Sequence, residues 1–241
     1  MSITLCLDFG NTRRKAAVFN EGNLAKRLSL ENEIPEIQLL IREYQPSYSI
    51  LSSVVNHSAD IETLLTENSK FHLLGHQTKL PFTTPVSKPS TIGADRLAIS
   101  AAAVHLYPEQ NNLAIGLGTC VTYNFINKEH AFLGGAISPG VEMRFKAMNH
   151  FTAKLPLVGA DWNIPLIGYD TLTNLTAGVI KGMAMEVDGF INEYQQRFGN
   201  FNVLLTGGDI RFLASHIKNK IFADPDLIFK GLYAISVVNN N

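Results

Sequence analysis

"LDFGNTRRKAAVF", residues Leu7 to Phe19, is the stretch on which the reading of this chain turns. An acidic residue, Asp8, sits inside an apolar run, Gly10 follows two residues later, and Asn11, Thr12, Arg13, Arg14 and Lys15 precede the return of the apolar pattern. A strand that ended for structural reasons alone would need only a turn. A phosphate chain requires backbone N–H groups, side-chain donors and a cation, brought close with no Cβ in the way. This stretch holds that set: Gly10 for close approach, Asn11 and Thr12 as donors, and Lys15 or Arg13 as the charge. Asp8 adds an acceptor suited to Mg²⁺, which keeps several waters and takes few carboxylates.

Two later turns repeat the theme. "GLGTCVT" places Gly118, Thr119 and Thr122 after an apolar run, and "TGGD" places Gly207 and Gly208 after another, where flat approach suits a nucleoside base or ribose. Any one of the three also fits an ordinary turn; three at matching strand ends point together to a mononucleotide site. "GADRLA" opens a small-residue helix expected from Ile92 to Tyr107, with Asp95 and Arg96 in its first turn. One reading is a carboxylate favoured by the helix dipole beside a solvated arginine. In the other, Asp95 accepts a proton from a substrate hydroxyl and the planar fork of Arg96 holds a substrate carboxylate.

The remaining pattern is that of an α/β protein. "ITLCLDF", "KAAVF", "YSILSSVV" and "NVLLTGG" read as strands, and "NLAIGLGTCVTYNFI" as two strands joined at Gly118 and Thr119. "IPEIQLLIREYQ" has helical spacing, and "SADIETLLTEN" adds a cap at Ser58. Residues Thr171 to Phe198 have the period of one long amphipathic helix, whose Ala177, Gly178 and Gly182 are expected to admit a close neighbour. The polar "PEQNN" at Pro108 to Asn112 marks the boundary between two lobes, 1–112 and 113–241.

The 241 residues are 46% hydrophobic, enough for a sizeable core, and carry a formal net charge of -1. No global field draws such a chain to nucleic acid or to an acidic membrane surface. No apolar run approaches the roughly 18 to 20 residues that span a bilayer. The two cysteines, Cys6 and Cys120, lie in strand-like contexts with no secretory signal ahead of them, so a cytoplasmic setting is expected. The seven histidines show no metal-ligand spacing.

With these residues in view, the chain resembles the type III pantothenate kinases of the actin-like and sugar-kinase ATPase superfamily. Nine segments carry the resemblance in order: "DFGNTRRK" at Asp8, "SSVV" at Ser52, "IGADRLA" at Ile92, "GTCVTYNFIN" at Gly118, "LGGAISPG" at Leu133, "AKLPLV" at Ala153, "DTLTNLTAG" at Asp170, "TGGD" at Thr206 and "PDLIFKGL" at Pro225. The resemblance implies two ribonuclease-H-like lobes with a cleft between them, a homodimer, and transfer of the ATP γ-phosphate to the hydroxyl of pantothenate, the first step towards coenzyme A. It implies that Asp95 is the general base, that Gly93, Arg96 and Thr171 bind pantothenate, and that Asp8, Gly10, Asn11, Thr12 and Lys15 form the first phosphate and Mg²⁺ motif. By the same carry-over Gly118, Thr119 and Thr122 face phosphates, and Gly207 and Gly208 border the adenosine.

Three positions depart from the family pattern. Gly116 stands where an aspartate is usual. Asn124 stands where many members place an aspartate associated with a monovalent cation, K⁺ or NH₄⁺; it keeps a carbonyl ligand and loses the charge. Val86 replaces a tyrosine expected to contact pantothenate. Two rival readings follow from them: a non-catalytic nucleotide- or ligand-sensing protein of the same fold, favoured by Gly116 and Asn124, and a kinase for another hydroxylated acid, with Val86 as the reshaped wall.

Overall fold

The computed structural model describes residues 2–240 and divides into two compact units. The first unit holds residues 1–109, 129–133 and 226–241, and the second holds 110–128 and 134–225. The sequence pattern places a boundary after residue 112; in the structure, residues 129–133 and the segment from Asp226 also pack with the first unit.

In the first unit, β1 (Ile3–Phe9), β2 (Arg14–Asn20) and β3 (Asn23–Leu30) are followed by α1 (Glu33–Tyr44), β4 (Tyr48–Ser53), α2 (Ala59–Asn68), β5 (Lys70–Leu73) and α3 (Ala94–Leu106). The sheet order is β3-β2-β1-β4-β5. β1 runs antiparallel to β2 and parallel to β4, which is parallel to β5. β1 is buried on both faces, as the centre of such a sheet must be. Leu5, Leu7 and Phe9 join Ala16, Val18 and Leu51 in one core with Ile37, Leu40 and Ile41 of α1 and Ile61 and Leu65 of α2. The alternate residues, Cys6 and Asp8, lie on the opposite face. Ser58 caps α2 by accepting the Asp60 N–H.

The second unit begins with β6 (Asn112–Leu117), β7 (Cys120–Ile126) and β8 (Phe132–Pro139), whose first two residues belong to the first unit, then α4 (Val141–His150), α5 (Thr171–Phe198), β9 (Asn202–Gly207), α6 (Ile210–Leu213) and β10 (Phe222–Ala223). Its sheet order, β10-β9-β6-β7-β8, is the first sheet's order in reverse listing, again with an antiparallel first hairpin and a parallel fourth strand. α5 covers one face: Val179, Ile180, Met183, Val187 and Ile191 pack on Val121, Tyr123 and Phe125, and Tyr123 stacks on Phe190 at 4.1 Å. Asp170 and Thr173 form a capping box at its start. The expected role of Gly178 and Gly182 is not seen, since a Cβ at either would meet nothing within 4 Å among the described residues.

The close approach occurs instead at α7 (Leu227–Asn240), which returns to the first unit and packs on α3, β1 and β4. A Cβ at Gly231 would lie 1.8 Å from the Ala98 carbonyl oxygen, so only glycine lets the two helices meet. Ala98, Ala101 and Ala102 of α3 are fully buried there.

Candidate functional site

Within the first unit, Asp8 stands one residue before the end of β1. Its register partners are Lys15 on β2 and Ser52 on β4, so these two side chains flank it on the same face of the sheet. The turn that follows is tight, with the Gly10 N–H donating to the Arg13 carbonyl at 3.0 Å, and it leaves Asn11 and Thr12 exposed. Of the basic trio, Arg14 is committed to an ion pair with Glu33 on α1, whereas Lys15 faces Asp8. Lys15 is thus the basic side chain that the strand register sets beside Asp8, while Arg13 is exposed in the turn.

Asp8 is only 7% exposed. Burial pushes its carboxyl up to about 6; the Lys15 charge opposes the rise, and the Asp95 carboxylate adds to it. Asp95 thus lies within electrostatic reach of Asp8, although 87 positions of sequence separate them (95 − 8). It occupies the first turn of α3, behind Gly93 as the N-cap. A Cβ on Gly93 would sit 2.6 Å from Asp95 Oδ1, so the bare glycine makes room for the carboxylate. Burial raises the Asp95 carboxyl above its ordinary value, against the Arg96 backbone N–H and the Arg96 charge. The Arg96 guanidinium lies 5.7 Å from the centre of the Phe132 ring, a cation–π contact that holds the fork beside Asp95.

The second unit brings Gly118, Thr119, Gly207 and Gly208 to one edge of its sheet. β6 and β9 are parallel neighbours, with Leu117 opposite Gly207, so the turns that follow both strands emerge side by side. Gly207 has φ +115, and a Cβ there would lie 2.0 Å from the Leu117 carbonyl oxygen; no other residue fits. Gly140, at the N-terminus of α4, joins the same edge. Its N–H donates to the Thr119 carbonyl at 3.0 Å, and a Cβ would come 2.1 Å from the Gly118 carbonyl.

Not every expected residue falls on these edges. Thr122 is buried within β7, and its hydroxyl accepts from Asn124 Nδ2 at 3.3 Å. Asn124 is fully buried and also donates to the Ala114 carbonyl at 3.1 Å. Thr171 is exposed as the first residue of α5, with no hydrogen bond to either glycine turn among the described residues. Two residues outside the expected set stand out. Ser52 is fully buried beside Asp8, and its hydroxyl has no hydrogen-bond partner among the described residues. Gly140 supports the Gly118–Thr119 turn. Both lie in segments that carry the family resemblance, but neither shows chemistry of its own: "SSVV" reads as strand and "SPG" as turn.

The sequence pattern of the type III pantothenate kinases matches residues 4–193. A type III pantothenate kinase from Flavobacterium johnsoniae is 39% identical over 233 residues, covering 95% of each chain. Among solved structures, a Campylobacter jejuni protein described as a Baf family transcriptional activator aligns with TM-score 0.63 at 23% identity, covering 98% of both chains. A glucokinase from an Antarctic psychrotroph aligns with TM-score 0.54 at 10% identity, over 99% of both. These two structures speak to the fold alone: two α/β units, each built on a five-stranded sheet of the same order. The sequence matches speak to more: the chain belongs to the type III pantothenate kinase family.

Proposed function

We propose that this protein transfers the γ-phosphoryl group of ATP to the hydroxyl of pantothenate, giving 4'-phosphopantothenate, the first committed phosphorylation towards coenzyme A. Beyond family membership, one observation carries the reading: Asp8 and Asp95 are brought together in the first unit, both with raised carboxyl pKa values. Phosphoryl transfer asks for alignment, charge neutralisation and a base for the hydroxyl proton. Asp95 is the base; its raised pKa strengthens its hold on the proton it receives. Arg96, braced on Phe132, takes the pantothenate carboxylate beside Gly93. Asn11, Thr12 and Lys15 bind phosphate oxygens beside Gly10, as does the Gly118–Thr119 turn; Thr122, buried within β7 and bonded to Asn124, supports that turn's strand instead. Gly207 and Gly208 border the adenosine.

The residues fit a divalent cation. Asp8 is a buried carboxylate with one lysine to offset it, and a second positive charge would relieve the cost of its ionisation. No cluster of three or more His, Cys, Asp or Glu side chains is found among the described residues, which suits an ion held by one carboxylate, waters and substrate phosphates. Mg²⁺ bound by Asp8 would neutralise charge on the phosphates. For a monovalent cation, K⁺ or NH₄⁺, Asn124 offers a neutral carbonyl oxygen at most, because its amide nitrogen is committed to Ala114 and Thr122.

We place the enzyme in the cytoplasm as a homodimer. Both cysteines are free thiols, and no described helix is long and apolar enough to cross a membrane. Phe151, Leu157, Leu166, Ile167 and Tyr169 are largely exposed within one stretch of the second unit, a concentration of apolar surface that a second copy would cover.

The test is direct. Purified protein with MgATP should convert pantothenate to 4'-phosphopantothenate; nucleotide binding without turnover, or turnover of another hydroxy acid with pantothenate inert, would refute the assignment. Replacing Na⁺ by K⁺ or NH₄⁺ in that assay reads the cation site, and a flat response removes it. Light scattering at assay concentration reads the dimer.

A further inference from the structure

We propose that Glu186 is a positioning residue for the Gly118–Thr119 turn, acting through Ser138, Arg144 and the backbone of Gly140. The inference rests on the reading that this turn receives nucleotide phosphate. Glu186 lies on α5, yet its carboxylate gathers donors from three other elements. Oε1 accepts from Tyr123 Oη of β7 at 2.9 Å and from Ser138 Oγ of β8 at 2.5 Å. Oε2 accepts from Arg144 Nη2 of α4 at 2.5 Å. Arg144 turns its Nε to the Pro139 carbonyl at 2.8 Å. The Arg144 and Glu186 side chains are 21% and 23% exposed, so the pair is largely shielded from water.

The bonds converge on one short segment. Ser138 precedes Gly140, Pro139 adjoins it, and Arg144 follows it by one helical turn. Gly140 in turn is seated against the phosphate turn, with its N–H on the Thr119 carbonyl and its Cα too close to Gly118 for any side chain. A backbone contact that tight transmits displacement: if residues 138–140 shift, Gly118 and Thr119 shift with them. Charge-assisted bonds from both sides of Gly140 end on a single carboxylate, which fixes where that contact is made. Burial raises the Glu186 carboxyl, but Arg144, Ser138 and Tyr123 together hold it below its ordinary value, so the anchor stays ionised throughout the neutral range.

Glu186→Gln keeps the side chain's size and removes the charge that Arg144 grips. It should raise the KM for MgATP and the dissociation constant for ADP about tenfold, with the pantothenate KM within twofold of the unmodified enzyme. Arg144→Gln should do the same, and the double variant should equal either single variant, because both act through one contact. A purely structural role would lower thermal stability without this split between substrates, and an unchanged MgATP KM in a folded Glu186→Gln enzyme overturns the inference. Should that variant fail to fold, Ser138→Ala removes one donor and carries the same prediction at about threefold. Thr119→Ala separates the two levels. If it weakens nucleotide binding while Glu186→Gln does not, positioning alone fails; if it leaves nucleotide affinity unaltered, the phosphate role of the turn fails and this inference falls with it.

Discussion

Replacing Asp8 by asparagine should make the folded protein more stable at neutral pH while removing its turnover. The carboxyl moves from an ordinary 3.8 to about 6 in the folded chain, mainly through burial. Folding therefore holds the proton more tightly than the unfolded chain does. The sign follows: relative to the protonated side chain, the cost is absent below pH 3.8, grows as pH rises towards 6, and is constant above that. With about 1.4 kcal/mol for each pH unit between the two values, the cost of ionised Asp8 is about 3 kcal/mol at pH 7.5 and roughly half that at pH 5. Asparagine has nearly the same shape and no charge to bury. Urea unfolding of both proteins without nucleotide or metal, at intervals from pH 5 to 8, should show the Asp8→Asn variant gaining on the unmodified protein as pH rises. Adding MgATP should reverse the order, because only the carboxylate gains from the cation. A gap that does not widen with pH, or a less stable variant at pH 7.5, would refute the reasoning that burial and Asp95 load this side chain.

Four further outcomes are expected. Asp95→Asn should lower kcat by about 10²- to 10⁴-fold with ADP affinity within about twofold by calorimetry, the signature of a lost base. Gly93→Ala drives a methyl to within 2.6 Å of Asp95 Oδ1, and steady-state kinetics should show kcat reduced by about 10²-fold in a protein of unchanged circular dichroism. Arg96→Lys loses the planar fork stacked on Phe132, so the pantothenate KM should rise more than the MgATP KM in the same assay. Gly207→Ala combines a positive φ with a 2.0 Å clash against Leu117, and denaturant unfolding should show a loss of about 2 kcal/mol or more.

Local pattern disclosed the elements that bury a regular face. β1, β4 and β9 are unbroken buried runs built around apolar and β-branched residues, α5 shows its period from Thr171 to Phe198, and the cap at Ser58 is written in the letters. β3 escaped because it is an edge strand: the adjacent Lys26 and Arg27, paired to Glu43 and Asp226, interrupt the apolar pattern and leave only Leu28 and Leu30 on the core face. α4 buries only Val141 and Phe145, too few to show a period. The candidate residues Asp8, Asp95, Gly118 and Gly207 were visible as chemistry attached to turns. That Asp95 meets Asp8 followed from the family resemblance and from no local pattern, since the two come together only once α3 packs across the sheet. Nor did sequence expose Ser52, whose hydroxyl is buried by neighbours from other elements, or Glu186, whose partners come from three separate segments.

The return of α7 to the first unit sets an order of events at the ribosome. Strands β1 to β5 emerge early, yet the face bearing Cys6 and Asp8 lacks one of its two covering helices until the chain has been synthesised through residue 240. Until then an apolar surface meant for Leu232 and Ile235 stands open, a natural target for a chaperone. A product cut short before Leu227 would carry every residue assigned here to phosphate and pantothenate and still lack a closed scaffold to hold Asp8 beside Asp95.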